Sequence, residues 1–301
     1  MAIKASVLKG VNARLSNLET DIIDKTLTLT LYCEKGTGKT TTGAALAQRI
    51  RGKGDILLLD SSDGWVSLDN IKALKKNVHH LPNTTYVELA AISDAISRRD
   101  PAFKKYSVVI LDEVSSWYTE LLHDNVREQS GIGPDAVLPE FGWGAYAGPQ
   151  AAIFSMINKI HNTPGVHLII MAHEQQRETE KGSGTFRATL SMGQKLNDNI
   201  GRISHVVSRA TARVAQSKEK NKQNYTRELQ SWQTLRVDAK SRIKGLPLKA
   251  EQTEFVKILA DWVGSSSMEK DMVQPEADEV HEDTVEEEPQ DEDYEIEDED
   301  D

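Results

Sequence analysis

The chain is short of several things, and each shortage removes a class of protein. Among 301 residues there is one cysteine, Cys33. That excludes an intramolecular disulfide framework and a zinc site built on several thiolates. No apolar stretch approaches the roughly 20 residues that cross a bilayer as a helix. The opening residues, MAIKASVLKGVNARL, lack the apolar centre of a secretory signal, so the expected location is the cytoplasm, with no membrane partner. There is no internal repeat. Positive charge also looks scarce, at 36 Lys plus Arg against 47 Asp plus Glu, a net of −11. That sum hides two opposite parts. Residues 265–301 hold 19 Asp or Glu and one Lys, a net of −18. Residues 1–264 hold 35 basic and 28 acidic side chains, a net of +7. The expected organisation is one domain over 1–264, large enough to bury a sizeable core, and a disordered acidic tail over 265–301.

What is present in the body is an alternation of short apolar runs and amphipathic segments. This pattern favours an α/β fold with a mostly parallel central sheet flanked by helices. Strands are expected over residues 26–32 (TLTLTLY), 56–60 (ILLLD), 107–112 (SVVILD) and 166–172 (VHLIIMA). The last three are nearly continuous apolar runs, as in strands covered on both faces. Helices are expected over 39–50, 87–99, 114–126, 149–161 and 250–263. Residues 131–148, with five glycines and two prolines, read as a long loop. A second polar loop is expected over 174–193. The segments ISHVVSRATARV and RELQSWQTLRV read as two strands joined by the basic turn KEKNKQN.

Residues 33–40, CEKGTGKT, fit the phosphate-binding pattern G-x-x-x-x-G-K-[ST] everywhere except at Cys33, which replaces glycine. An apolar strand precedes them and a helix former follows. Gly36 and Gly38 let the backbone turn so that amides face phosphate oxygens. The nucleotide-binding set is therefore Cys33, Glu34, Lys35, Gly36, Thr37, Gly38, Lys39, Thr40 and Thr41. Lys39 would reach the β- and γ-phosphates of ATP, Thr40 would hold Mg²⁺, and Thr41 would add an α-phosphate contact. Cys33 is expected to bend the start of the loop, because glycine normally relieves crowding there. A thiol lining the loop would make ATP binding sensitive to alkylation.

Asp112 and Glu113 end the strand SVVILDE. An acid there can hold Mg²⁺, which assigns Asp112, and the next acid can orient or deprotonate the attacking water, which assigns Glu113. The strand HLIIMA delivers His173 and Glu174 beside them, either as surface residues or as sensors of the γ-phosphate. Taken together, YCEKGTGKT, VVILDE, FGWGAYAG, HLIIMAHE, LSMGQKLNDNIGRISHVV and VDAKSRIKGLP resemble the RecA-like P-loop ATPases. Within them they are most similar to the phage single-strand-annealing and recombinase-like ATPases of the Sak type, over about residues 4–263. The resemblance implies a RecA-like P-loop NTPase core, and a γ-phosphate sensor at His173 followed by a DNA-binding loop. In that loop Arg177, Lys181, Arg187 and Lys195 would contact DNA phosphates. It further implies that Lys240 and Arg242, in AKSR, act as finger residues in a neighbour's active site.

A physical reading of the charge stands beside this. Arg202, Arg209, Arg213, Lys218, Lys220, Lys222 and Arg227 fall close together with little acid. Such clusters bind nucleic-acid phosphates in a salt-dependent way. Few aromatics are interleaved, so base stacking is not the obvious mode. The tail has three open readings: a solubility device, a competitor for the basic DNA site, or a docking segment for a replication or recombination partner through Tyr294 and Ile296. The expected function is an Mg-dependent, DNA-stimulated ATPase acting on single-stranded DNA in recombination, annealing or repair, self-associating through subunit-interface sites. The alternatives are a helicase loader or motor, and a nucleotide-dependent switch that binds a partner through the tail.

Overall fold

The computed structural model describes residues 26–62, 76–140, 142, 144–179, 183–216 and 223–264. Lys181, Lys218, Lys220, Lys222, the side chain of Arg213 and the acidic tail lie outside the described residues.

The strands in chain order are β1 (Thr28–Cys33), β2 (Asp55–Asp60), β3 (Val78–Leu81), β4 (Tyr106–Asp112), β5 (His167–Glu178), β6 (Phe186–Leu190), β7 (Val206–Gln216), β8 (Gln223–Gln230), β9 (Lys240–Ser241) and β10 (Lys249–Glu251). The helices are α1 (Lys39–Ile50), α2 (Tyr86–Ser97), α3 (Val114–Ser130), α4 (Gly144–His161), α5 (Gln194–Ile203) and α6 (Gln252–Gly264). Strand order across the sheet is β10-β8-β7-β1-β5-β4-β2-β3, with β6 beside β5 and β9 beside β7. The strands from β7 to β3 along this path run parallel. Hairpin partners β6, β8, β9 and β10 are antiparallel. The expected α/β architecture with a mostly parallel sheet is the one observed.

The two-residue side-chain period of a strand divides the core in two. On one face Leu57, Leu59, Val109, Leu111, Leu168 and Ile170 pack under α2, α3, α4 and α5. On the other, Leu29, Leu31, Ile56, Leu58, Val108, Ile110, Ile169 and Met171 pack under α1 and α6. α1 lies so close to β5 that a Cβ on Gly43 would fall 2.1 Å from Met171 Cε. Each central strand is covered on both sides, which is why its sequence is a continuous apolar run.

Three segments differ from the sequence expectation. α4 begins at Gly144, inside the expected 131–148 loop, and takes in Pro149. Ala145, Pro149, Ile153 and Ile157 make one buried stripe. Proline lacks the N–H that would bond Ala145 O, and Asn125 Nδ2 donates to that carbonyl instead, at 2.9 Å. The expected loop over 174–193 is in part a hairpin: β5 runs on to Glu178 and pairs with β6. The β5 extension, HEQQRE, is polar on both faces and carries no apolar alternation, whereas β6, FRATL, does alternate, with Ala188 and Leu190 buried. The second strand of the basic hairpin lies earlier than expected, at Gln223–Gln230 rather than 227–237. Among the described residues, no helix is long and apolar enough to cross a membrane.

Candidate active site

β1 ends at Cys33, and the chain turns through residues 34–38 into α1. Gly36 (φ +83°) and Gly38 (φ +97°) are left-handed, a conformation open to glycine at little cost. Thr37 closes the turn, its amide and Oγ1 donating to Glu34 O at 3.4 and 2.8 Å. Thr42 then starts the helix, its amide and Oγ1 both donating to Gly38 O at 3.0 Å. A glycine turn feeding a helix N-terminus presents amides and the positive helix end to an anion.

Cys33 lies beneath that cradle, its thiol against the Thr37 side chain and the Lys39 backbone. It is the last residue of β1, its backbone is not left-handed, and its side chain is fully buried among Leu29, Leu31 and Leu46. Burial pushes its thiol up to about 11, against the lowering effects of Lys39 and a Thr37 hydrogen bond. The thiol therefore meets the loop from its buried side, where a reagent in solvent does not reach it. Glycine is dispensable at this position because the strand geometry suits any side chain that fits the core.

The acids arrive from β4. Thr40 Oγ1 donates to Asp112 Oδ2 at 2.6 Å. Lys39 Nζ lies 3.0 Å from Glu113 Oε2 and 3.4 Å from His173 Nδ1. His173 Nε2 contacts Glu113 Oε1, which closes a triangle of lysine, glutamate and histidine. Strand order explains the assembly, since β5 sits between β1 and β4, with His173 in register with Cys33. Burial, aided by Lys39 and Lys35, lowers the His173 pKa, and Glu113 opposes this. A neutral ring that accepts at Nδ1 and donates from Nε2 satisfies both neighbours. Asp112 is pushed up to about 6, chiefly by burial. Asp60, its neighbour on β2, adds to that, and the Thr40 hydroxyl resists it.

Thr40 and Asp112 offer two adjacent hard oxygens. That donor set fits Mg²⁺, which typically takes one or two protein oxygens and leaves the rest to phosphates and water. Among the described residues no group of three or more His, Cys, Asp or Glu could hold a metal by itself. Thr41 is half-buried on α1, and Glu34, Lys35 and Gly36 are exposed on the turn.

Several supporting residues escaped the sequence reading. Ser61 Oγ accepts from Glu113 N at 3.1 Å and donates to Glu113 O at 3.2 Å, fixing the acid's backbone. Ser115 Oγ accepts from His173 N at 2.9 Å. Asp60 is fully buried beside Asp112 and bonds the Ser62 amide at 2.9 Å. Only its position at the end of an apolar strand hinted at it. Glu174 is turned away from the triangle. It receives both Nε and Nη2 of Arg209, each at 2.8 Å.

The expected DNA contacts separate. Arg177 and Arg187 face each other across the β5–β6 hairpin and line one groove of about 750 Å³ with Gln194, Asp198, Leu235 and Asp238. Lys195 lines a different, smaller hollow against α4, with Phe154 and Asn199. Lys240 Nζ donates to Gly201 O at 2.6 Å and Arg242 Nη2 to Arg202 O at 2.8 Å, so both close the end of α5. Arg242 N bonds His205 O and His205 N bonds Thr28 O, which places this pair at the amino end of the sheet. That is about five strand residues, or ~16 Å, from the phosphate loop of the same chain. Arg227, grouped by sequence with the basic cluster, reaches the phosphate loop itself, with Nε donating to Thr37 O at 3.1 Å.

A family model for the AAA domain matches residues 25–243, from the start of β1 to just beyond β9. No curated protein matches the chain. The match spans well over half of the sequence and encloses the phosphate loop, both strand-end acids and His173. The chain belongs to the AAA domain family of P-loop ATPases.

Proposed function

We propose that the protein is a RecA-like ATPase of the phage single-strand-annealing and recombinase type, which couples ATP hydrolysis to single-stranded DNA. One observation carries this reading. β5 bears His173 against Lys39 and Glu113 and continues without a break into the hairpin whose Arg177 and Arg187 share the groove. A change at the triangle is thereby a change at the base of the hairpin.

The chemistry follows from the residues. The loop amides and Lys39 bind the triphosphate. An arriving phosphate competes with Glu113 for Lys39, and the released carboxylate can then orient water and accept its proton. His173, touching both partners, registers which of them Lys39 holds. Mg²⁺, held by Thr40 and Asp112, would neutralise charge on the phosphates. Self-association that lends Lys240 and Arg242 to a neighbour belongs to the same proposal. It requires both to leave the α5 carbonyls.

The test is the steady-state ATPase rate of the full chain with and without single-stranded DNA, beside DNA binding as a function of salt. Stimulation by DNA is expected. Arg177→Ala and Arg187→Ala should each reduce the salt slope by about one. An unstimulated rate with no DNA binding at low salt would sink the reading.

A further inference from the structure

Arg227 stands on β8, opposite Ala212 of β7, outside the parallel core. Its guanidinium nevertheless lies on the phosphate loop. Nε donates to Thr37 O at 3.1 Å, and Nη1 donates to Gln252 Oε1 at 3.2 Å, at the start of α6. The approach is close enough that a Cβ on Gly38 would fall 2.2 Å from Arg227 Nε.

The Thr37–Gly38 peptide is the one this contact controls. In a planar trans peptide the carbonyl and the following N–H point in opposite directions. Holding Thr37 O toward Arg227 therefore aims Gly38 N–H away from Arg227. Gly38 is left-handed with φ +97°, and glycine alone would let this peptide turn over easily. The Thr37 bonds to Glu34 and the Thr42 bonds to Gly38 O fix the peptides on either side. The Arg227 contact is the one that fixes the plane between them.

We propose that Arg227 is a positioning residue for nucleotide binding, one that orients the Gly38 amide toward the phosphates by pinning Thr37 O. It does not touch the reacting atoms. Its guanidinium also adds a positive charge behind the cradle. The β7–β8 hairpin is thereby an outer wall of the nucleotide site. This inference concerns the loop alone and stands or falls independently of the DNA reading.

The experiment titrates the full chain and its Arg227→Ala and Arg227→Lys variants with Mg-ATP, Mg-ADP and inorganic tripolyphosphate, with thermal melting as a parallel readout. All three ligands should bind about tenfold more weakly to Arg227→Ala, the effect of losing one charged hydrogen bond. The value of kcat at saturating ATP should hold, because ground state and transition state lose the same contact. Arg227→Lys should recover part of the affinity, since an ammonium can still donate to Thr37 O. Native affinity for all three ligands in a folded Arg227→Ala protein overturns the proposal, whatever its melting temperature. A loss confined to ATP and ADP, with tripolyphosphate unaffected, also overturns it, because Arg227 would then act on the nucleoside. If Arg227→Ala does not fold, Arg227→Gln decides by the same two criteria.

Discussion

The two ends of the parallel strands use similar side chains for opposite purposes. At the carboxyl end, Lys39, Glu113 and His173 bond one another, and Thr40 bonds Asp112. At the amino end, His167 Nδ1 accepts from Leu27 N and His205 Nδ1 from Thr28 N, both at 3.0 Å. There Lys240 and Arg242 donate to helix carbonyls. The difference lies in the partner. A buried backbone amide or carbonyl has no substitute partner, so a side chain bonded to it belongs to the architecture. A side chain bonded to another side chain can exchange that partner for a substrate. Within one chain the same lysine chemistry thus meets a backbone carbonyl at Lys240 and exchangeable side chains at Lys39.

The largest expected effect tests the exchangeable end. Lys39→Ala should lower kcat/KM for ATP by about a thousandfold or more, with little loss of stability, since it removes charge stabilisation from the transferring phosphoryl group. Glu113→Gln should retain nucleotide binding and lower kcat by roughly 10²–10⁴-fold. Steady-state rates paired with equilibrium nucleotide binding check both. If either variant lost its fold instead, the carboxyl end would be as architectural as the amino end.

How much of this was readable in the sequence follows the same division. β1, β2, β4 and the apolar half of β5 fall within a residue or two of their apolar runs, because burial on both faces leaves an uninterrupted signal. The phosphate loop and the Asp112–Glu113 strand end were readable for a related reason: their chemistry needs fixed residue types at fixed spacing. β3 was not readable, since VHHL alternates half-buried and exposed residues at the sheet edge, with His79 and His80 paired to Asp55 and Asp60. α5 escaped the sequence reading although Leu196, Ile200 and Ile203 keep helical spacing, because a ten-residue helix offers only these three apolar positions. Ser61, Ser115 and Arg227 were hidden because each acts on a backbone group of a distant segment. That information belongs to strand order, and no local spacing encodes it.

The next effect tests the amino end through pH. Burial lowers the His205 pKa to about 4, assisted by His161, Arg242 and Lys240, while the Thr28 amide bond raises it. Trp262 packs against the ring at 5.5 Å. The folded chain therefore binds this proton less readily than the unfolded chain, whose histidine titrates near 6.5. Between those values the unfolded state holds more protons, so stability rises with pH across the window and falls on acidification. Full burial would set the contribution at a few kcal/mol, and partial exposure reduces it to roughly 1–2 kcal/mol. His205→Asn offers an oxygen where Nδ1 accepts and does not titrate. Subtracting its urea stability from that of the native chain, at matched pH, isolates His205 from groups such as Asp112 that titrate the opposite way. The difference should favour the native chain less as pH falls from 6.5 to 4. A difference independent of pH would mean that burial does not hold the ring neutral.

The smallest expected effect on activity comes from the one residue that breaks the rule by position. Cys33 lies at the carboxyl end, at the first position of the phosphate motif, yet it behaves like the amino-end residues: it is fully buried, with its thiol shielded beneath the turn. If partners decide role, Cys33→Gly should restore the consensus motif without improving nucleotide binding, leaving Kd within about twofold. It should instead lower stability by roughly 1–2 kcal/mol, from a lost buried side chain and a more flexible unfolded chain. Likewise, a thiol reagent should leave the folded protein unmodified and its ATPase rate unchanged, because the thiol is both inaccessible and held in its protonated form. Tighter ATP binding in Cys33→Gly would show that motif position outranks burial here, since the turn would then be gaining from a glycine that the strand backbone does not require.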